Sequence, residues 1–197
     1  MRFFSLLILI SVVVPARAQT DAQVEWFQNE AREWVGKSIP VFSFQDQDDR
    51  PITEEVLQGR VTVLRFFFVG CPACRKETPK LNRIYDQFAP QGVQFVAFTF
   101  DPEERTRTFR EWKNYRYRVV PDAKSFIQWQ MHVGVYPTHM VVNEEGIVTA
   151  VILGTDPFVG WKIRRAIRRA QRNAPIREPR TKEIPSENPT LHPTLLP

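Results

Sequence analysis

Val61-Thr62-Val63-Leu64-Arg65-Phe66-Phe67-Phe68-Val69-Gly70-Cys71-Pro72-Ala73-Cys74 is the stretch on which the fold turns. From Val61 to Val69 it is nearly continuous in β-branched and aromatic residues, as a strand covered on both faces should be. Gly70 and the two cysteines then turn the chain into a helix reaching about Phe88, with Leu81, Ile84, Tyr85 and Phe88 on one face. Pro72 suits the first helical position, where its missing N–H has no partner to lose. A buried strand running straight into a helix predicts an α/β domain.

Working outward, Asp21 to Val35 carries Val24, Phe27, Ala31, Trp34 and Val35 at helical spacing, with Gly36 as a stop. An edge strand is expected at Val41 to Phe44, then a polar turn from Asp46 to Arg50 and a helical turn from Thr53 to Leu57. After the central helix come a buried strand (Val93 to Phe100), a charged surface helix (Pro102 to Tyr115) and a short helix (Ala123 to Met131) carrying Phe126, Ile127 and Trp129. Strands at Thr138 to Val142 and Ile147 to Leu153 flank Asn143-Glu144-Glu145-Gly146, a hairpin loop by length and glycine. The last helix, Val159 to Arg172, places Ile163, Ala166, Ile167 and Ala170 on one face. The order requires a central mixed sheet flanked by helices, with an N-terminal extension.

The chain has 197 residues, enough for one such domain with modest extensions. Met1-Arg2, an apolar run from Phe3 to Val14, and Ala16-Arg17-Ala18 have the order of a secretory signal, expected over residues 1–18. The run is shorter than the roughly 20 residues of a membrane-spanning helix, so a retained anchor is the lesser reading. Export implies an oxidising compartment, where structural cysteines normally come as several pairs. Here there are two, three positions apart, which favours a reactive pair over a structural staple. The net charge of +5 is uneven: residues 160–197 carry +6, and everything before them −1. From residue 175 prolines recur and apolar residues thin out, so an extended, disordered Pro-rich tail is expected over 175–197.

A Cys-x-x-Cys at the start of a helix favours the thiolate of Cys71 through the unpaired helix N–H groups and dipole, and through Arg75 and Lys76. Cys74, one turn in, is placed to attack a mixed disulfide on Cys71 and release the product. Half a zinc site is the competing reading, but four ligands are usual and only His132, His139 and His192 remain. No metal and no cofactor beyond the cysteine pair is expected.

The run Phe66 to Pro79 resembles the active site of the TlpA/ResA-type periplasmic thioredoxin-like proteins. Gly36-Lys37 followed by Pro40, and Val135-Tyr136-Pro137-Thr138 facing the Asn143–Gly146 turn, extend the likeness over roughly residues 36 to 170. The resemblance implies a thioredoxin-like fold over residues 19–174. It also implies a cis-proline loop at Pro137 beside the dithiol, with Tyr136, Pro137, Pro72 and Ala73 meeting the substrate. Pro79 then matches a helix-kinking proline. Glu77 matches an acidic residue that handles the proton of the buried thiol, against the alternative of an exposed Glu paired with Lys76 or Lys80. Partners implied are exported proteins with disulfides or thiols and a membrane electron donor, with cytochrome c maturation or redox repair as the setting.

Two departures stand out. Thioredoxins proper carry a buried Asp six positions before the first cysteine, and here that position is Arg65, which must reach solvent or find a carboxylate, Glu77 being a candidate. The dipeptide Pro72-Ala73 replaces Gly-Pro, and it does not separate reductant, oxidant and isomerase. Three other functions compete. His139 with Met140, Met131 and His132 points to copper delivery, but strand alternation sends His139 and Met140 to opposite faces. A thiol peroxidase would need Thr and Pro shortly before its cysteine, and Phe67 to Gly70 has neither. The basic helix, with Lys162, Arg164, Arg165, Arg168, Arg169 and Arg172, is open to weak contact with anionic lipid or an acidic partner, or to being a solvated charged face. Nucleic acid is not an expected partner of an exported protein.

Overall fold

The computed structural model describes residues 16–172. Of the expected leader, residues 1–15 lie outside the described residues, as does the expected tail. Along the chain come α1 (Ala16–Arg32), β1 (Ser43–Gln45), β2 (Pro51–Thr53), α2 (Glu54–Leu57), β3 (Thr62–Phe67) and α3 (Pro72–Phe88). They are followed by β4 (Gln94–Thr99), α4 (Glu103–Lys113), β5 (Arg118–Val120), a π-helical turn (Phe126–Gln130), β6 (Thr138–Val142), β7 (Val148–Leu153) and α5 (Val159–Arg172).

Five strands form one mixed sheet in the order β5-β4-β3-β6-β7. β3 and β4 are parallel, as are β4 and β5, whereas β6 runs antiparallel to both β3 and β7. The central strand is therefore β3, buried along its whole length. Alternation divides its side chains between two cores. Val63 and Phe67 join Leu81, Ile84 and Phe88 of α3, Phe109 of α4 and Ile163 and Ile167 of α5. Leu64 and Phe66 join Phe42, Ile52, Leu57, Phe126 and Ile127 on the other face. This is the thioredoxin-like α/β arrangement.

Several local features differ from the sequence-based expectations: α1 spans Ala16–Arg32 where the sequence predicts Asp21 to Val35, and β2 is unexpected. The edge strand expected at Val41 to Phe44 lies at Ser43–Gln45 and pairs with β2 in a separate hairpin. The turn closes because the Asp46 carboxylate accepts from the N–H groups of Asp48 (2.9 Å) and Arg50 (3.0 Å). That carboxylate also accepts from Arg118 Nε at 2.7 Å, and Gln47 N donates to Val119 O, so the hairpin turn covers the otherwise open edge at β5. β5 itself is unexpected. Finally, the helix expected at Ala123 to Met131 is a π-helical turn that buries Phe126 and Ile127 but leaves Trp129 in solvent.

Candidate active site

β3 delivers the chain to Cys71 at the edge of the parallel half of the sheet. Asp101, just beyond β4, fixes the approach: its Oδ2 accepts from Val69 N at 2.6 Å and from Thr99 Oγ1 at 2.8 Å. Cys71 is the N-cap of α3, and its Sγ accepts from Cys74 N at 3.1 Å. The two cysteines are joined in a disulfide with Cα atoms 5.2 Å apart. Cys74 is fully buried and Cys71 nearly so. Pro72 is exposed and Ala73 half-buried, so the outer side of the pair faces solvent through these two residues.

The Tyr136–Pro137 peptide is cis. Phe66 and Thr138 are register partners, so Pro137 leads into β6 at the end of the sheet where β3 leads to Cys71. Pro137 is buried, and its carbonyl accepts from Gly154 N at 2.7 Å. The half-buried Tyr136 ring meets Phe68 and Phe100 edge-on, at 5.5 and 5.7 Å between centroids. On the side of α4, a hollow of ≈ 470 Å³ is lined by Val69, two residues before Cys71, and by Pro102, Arg105, Thr108, Phe109 and Trp112, among others.

Beneath the dithiol lies a charged cluster. Arg65, fully buried in β3, sends Nη2 to Cys74 O at 2.7 Å and to Glu77 Oε1 at 3.1 Å. The carboxylate that Arg65 needed is therefore Glu77, which is only 3% exposed and is not the exposed partner of Lys76 or Lys80. The rest of the guanidinium packs over the rings of Phe67 (4.7 Å) and Tyr115 (5.1 Å). His139, the register partner of Arg65 on β6, brings Nε2 to 3.1 Å from the same Glu77 oxygen. Burial works against the charge of Glu77, but His139 and Arg65 outweigh it and hold the carboxyl below its ordinary range. Burial also pushes the Tyr115 phenol up to about 12, against the pull of Arg65.

Pro79 lies inside α3 and has no N–H to return to Arg75 O. One turn earlier, Cys74 O accepts from Thr78 Oγ1 (2.9 Å) as well as from Arg65, so the turn that carries the buried cysteine is held from two sides. A cleft of ≈ 360 Å³ lined by Lys76, Glu77, Lys80, Thr155, Asp156 and Pro157 reaches this level from solvent.

The sequence reading brought together Cys71, Cys74, Glu77 and Pro137. It weighed His139 only as a metal ligand, for zinc or copper, yet the imidazole faces Glu77 while Met140 lies in the opposite core. Among the described residues no group of three or more His, Cys, Asp or Glu side chains is placed to hold a metal ion. The spacing signal for His139 was present in strand alternation, but the register pairing it with Arg65 was not.

A model of the AhpC/TSA family matches residues 35–151, more than half of the chain. The thiol-disulfide oxidoreductase ResA of Bacillus cereus (strain ZK / E33L) is 27% identical over 130 residues, covering 66% of this chain and 75% of that protein. ResA of Bacillus subtilis (strain 168) is 30% identical over 122 residues, covering 61% and 68% respectively. The crystal structure of a protein described as thiol:disulfide interchange protein DsbE from Chlorobium tepidum shares the fold, with a TM-score of 0.64 at 22% identity over 69% of this chain and 96% of that one. The family match, the relatives and the Cys71–Cys74 disulfide at the head of α3 agree: the chain belongs to the AhpC/TSA family and is a thiol-disulfide oxidoreductase of the ResA type.

Proposed function

We propose that this enzyme is exported and reduces or exchanges the disulfides of other exported polypeptides, with Cys71 as nucleophile and Cys74 as resolver. The observation that carries the reading is the disulfide at the N-terminus of α3, with its first cysteine capping the helix. In the reduced enzyme the helix N–H groups stabilise a thiolate at Cys71. That thiolate attacks a substrate disulfide, forming a mixed disulfide and releasing one substrate thiolate, which takes a proton. Cys74, deprotonated, then attacks Cys71 Sγ, and the second substrate thiol leaves with its electron pair and a proton. The enzyme ends as the disulfide, two electrons and two protons having passed to the substrate. A membrane dithiol donor returns the enzyme to its reduced form by the same exchange in reverse.

In this reading Glu77, one turn along α3 from Cys74 and at the wall of the cleft, takes and returns the Cys74 proton, with His139 at the same carboxylate oxygen; its place on α3 supports the role. Tyr136, Pro137, Pro72 and Ala73 form the surface that an extended substrate meets, and the hollow between Val69 and α4 takes an apolar side chain of the same substrate. The order of residues 2–18 supports export. Substrates are then exported cysteine pairs, the haem-binding pairs of c-type cytochromes among them.

The test is the equilibrium reduction potential of the Cys71–Cys74 pair in defined thiol-disulfide buffers. A value near about −270 mV identifies a reductant and one near about −120 mV an oxidant, which would overturn the direction proposed. Cys71→Ser is expected to abolish disulfide reduction, and Cys74→Ser to accumulate the mixed disulfide with substrate. A Cys74→Ser enzyme that still turns over would remove Cys74 from the resolving role.

A further inference from the structure

α5 divides its surface cleanly. Ile163, Ile167 and Ala170 point into the core beneath the sheet. The opposite stripe reads Phe158, Trp161, Arg165, Arg168, Arg169 and Arg172, where the spacings of three and four residues keep all of them on one side. The helix contains no Asp or Glu. Lys162 pairs with Asp156, and Arg164 donates to Gln87, but no acidic partner within the described residues meets Arg165, Arg168, Arg169 or Arg172. Phe158 and Trp161 are 67% and 59% exposed at the head of the stripe, and the Arg165 guanidinium lies over the Trp161 ring at 5.5 Å. A groove of ≈ 260 Å³ runs between Trp161 and the arginines.

We propose that this face of α5 docks the enzyme on an anionic bilayer surface. Four arginines with no acidic partner among the described residues supply charge opposite to that of phospholipid headgroups, and guanidinium binds phosphate through two parallel N–H bonds. An indole and a phenyl ring beside them suit the boundary between headgroup and acyl chain. The apolar stripe of α5 is buried in the protein, so the helix rests on the surface rather than sinking into it. An acidic protein would match the charge, and Trp with Arg also anchors protein interfaces, so an acidic polymer is the competing occupant in the test; the bilayer is favoured because the arginines run in one line along a helix with the rings at its head.

The placement also fits the enzyme's work. α5 runs alongside α3 in the same direction, with Lys80 meeting Pro157, Gln87 meeting Arg164 and Phe88 lying under Arg168. The arginine end therefore lies beside the last turn of α3, about 25 Å along the helix from Cys71 at a rise of about 1.5 Å per residue. The rings at the head of the stripe lie nearer, beside Lys80 and about 14 Å along the helix from Cys71, so an enzyme resting on the whole stripe still holds its disulfide off the lipid.

The experiment compares co-sedimentation of the full chain with vesicles of phosphatidylglycerol plus phosphatidylcholine and with vesicles of phosphatidylcholine alone. The neutral vesicles account for any binding by the N-terminal apolar run, and the increment on anionic vesicles tests α5. Each arginine is expected to contribute about a fivefold factor at low ionic strength. The combined variant Arg165→Gln, Arg168→Gln, Arg169→Gln, Arg172→Gln then loses more than about a hundredfold of the increment, with disulfide reduction unchanged. Trp161→Ala loses severalfold, and raising the salt toward about 1 M abolishes the increment as the screening length falls to about 3 Å. No increment, or one that survives the combined variant, overturns the proposal. Equal binding to polyglutamate, with Trp161→Ala silent toward both, would assign the face to acidic proteins and overturn it as well.

Discussion

Replacing Glu77 by Ala would leave the Arg65 guanidinium with no carboxylate in a fully buried site. Breaking one side of a buried ion pair costs about 3–5 kcal/mol, whereas replacing both sides with apolar residues of similar volume is often neutral. Glu77→Ala should therefore lower the urea midpoint strongly, and Arg65→Met with Glu77→Leu should restore most of it. Glu77, held charged by His139 and Arg65, also sets an acid dependence. The folded-state value of Glu77 is depressed, so its stabilising contribution is complete above the ordinary carboxyl range. It is lost as the pH falls through the depressed value, because the unfolded chain takes up the proton first. The stability difference between the native enzyme and Glu77→Gln, measured by urea unfolding, should thus be constant near neutrality and shrink below about pH 4. At the other extreme Tyr115 is raised to about 12, so its burial supports the fold fully below pH 10 and less as the pH climbs to the raised value. Tyrosinate absorbance should show this phenol ionising only together with unfolding, and a separate ionisation in the folded protein near pH 10 would contradict the packing. That Arg65 needed a carboxylate was legible from its place in an apolar strand. Glu77 was legible only as a candidate, open against an exposed Glu paired with Lys76 or Lys80; the structure shows it on the buried stripe of α3 with Cys74, Leu81, Ile84 and Phe88. His139 was not legible, since its contact depends on the pairing of β6 with β3.

At the scale of elements, most of the longer segments were legible from their apolar patterns, α1 being displaced to Ala16–Arg32 from the expected Asp21 to Val35. Thr138–Val142 and Val159–Arg172 have the expected bounds, and β3, α3 and β4 differ only at their ends. The short pieces were not. β5 has three residues and owes its existence to parallel pairing with β4, and the β1–β2 hairpin depends on the Asp46 turn and on Arg118 far along the chain. Such contacts between distant segments leave no local pattern. α1 offers a test of its own. A methyl group at Gly134 would sit 2.4–2.5 Å from the Phe27 ring, so either the ring or the helix carrying it must move. Gly134→Ala should destabilise by about 1–3 kcal/mol or release α1 from the body. Limited proteolysis would show this as faster cleavage between Arg32 and the hairpin, and an unchanged digestion pattern and midpoint would mean that Phe27 is not seated there.

For the molecule as a whole, β3 belongs to both cores at once, giving Val63 and Phe67 to one and Leu64 and Phe66 to the other. Neither core can open without disturbing the other. Far-ultraviolet circular dichroism and tryptophan fluorescence should therefore report one coincident urea transition, as a single cooperative domain requires. Two separated transitions would show that the faces unfold independently. The buried pair beneath the dithiol also bears on how this sequence can change over generations. A typical domain has about 5–15 kcal/mol of stability in all, and losing either Arg65 or Glu77 alone removes a large part of it. Positions 65 and 77 thus form a single heritable unit: a lineage that exchanges this arginine for another residue must cross a mutational valley or change both codons together, and the two positions are expected to vary as a pair or not at all.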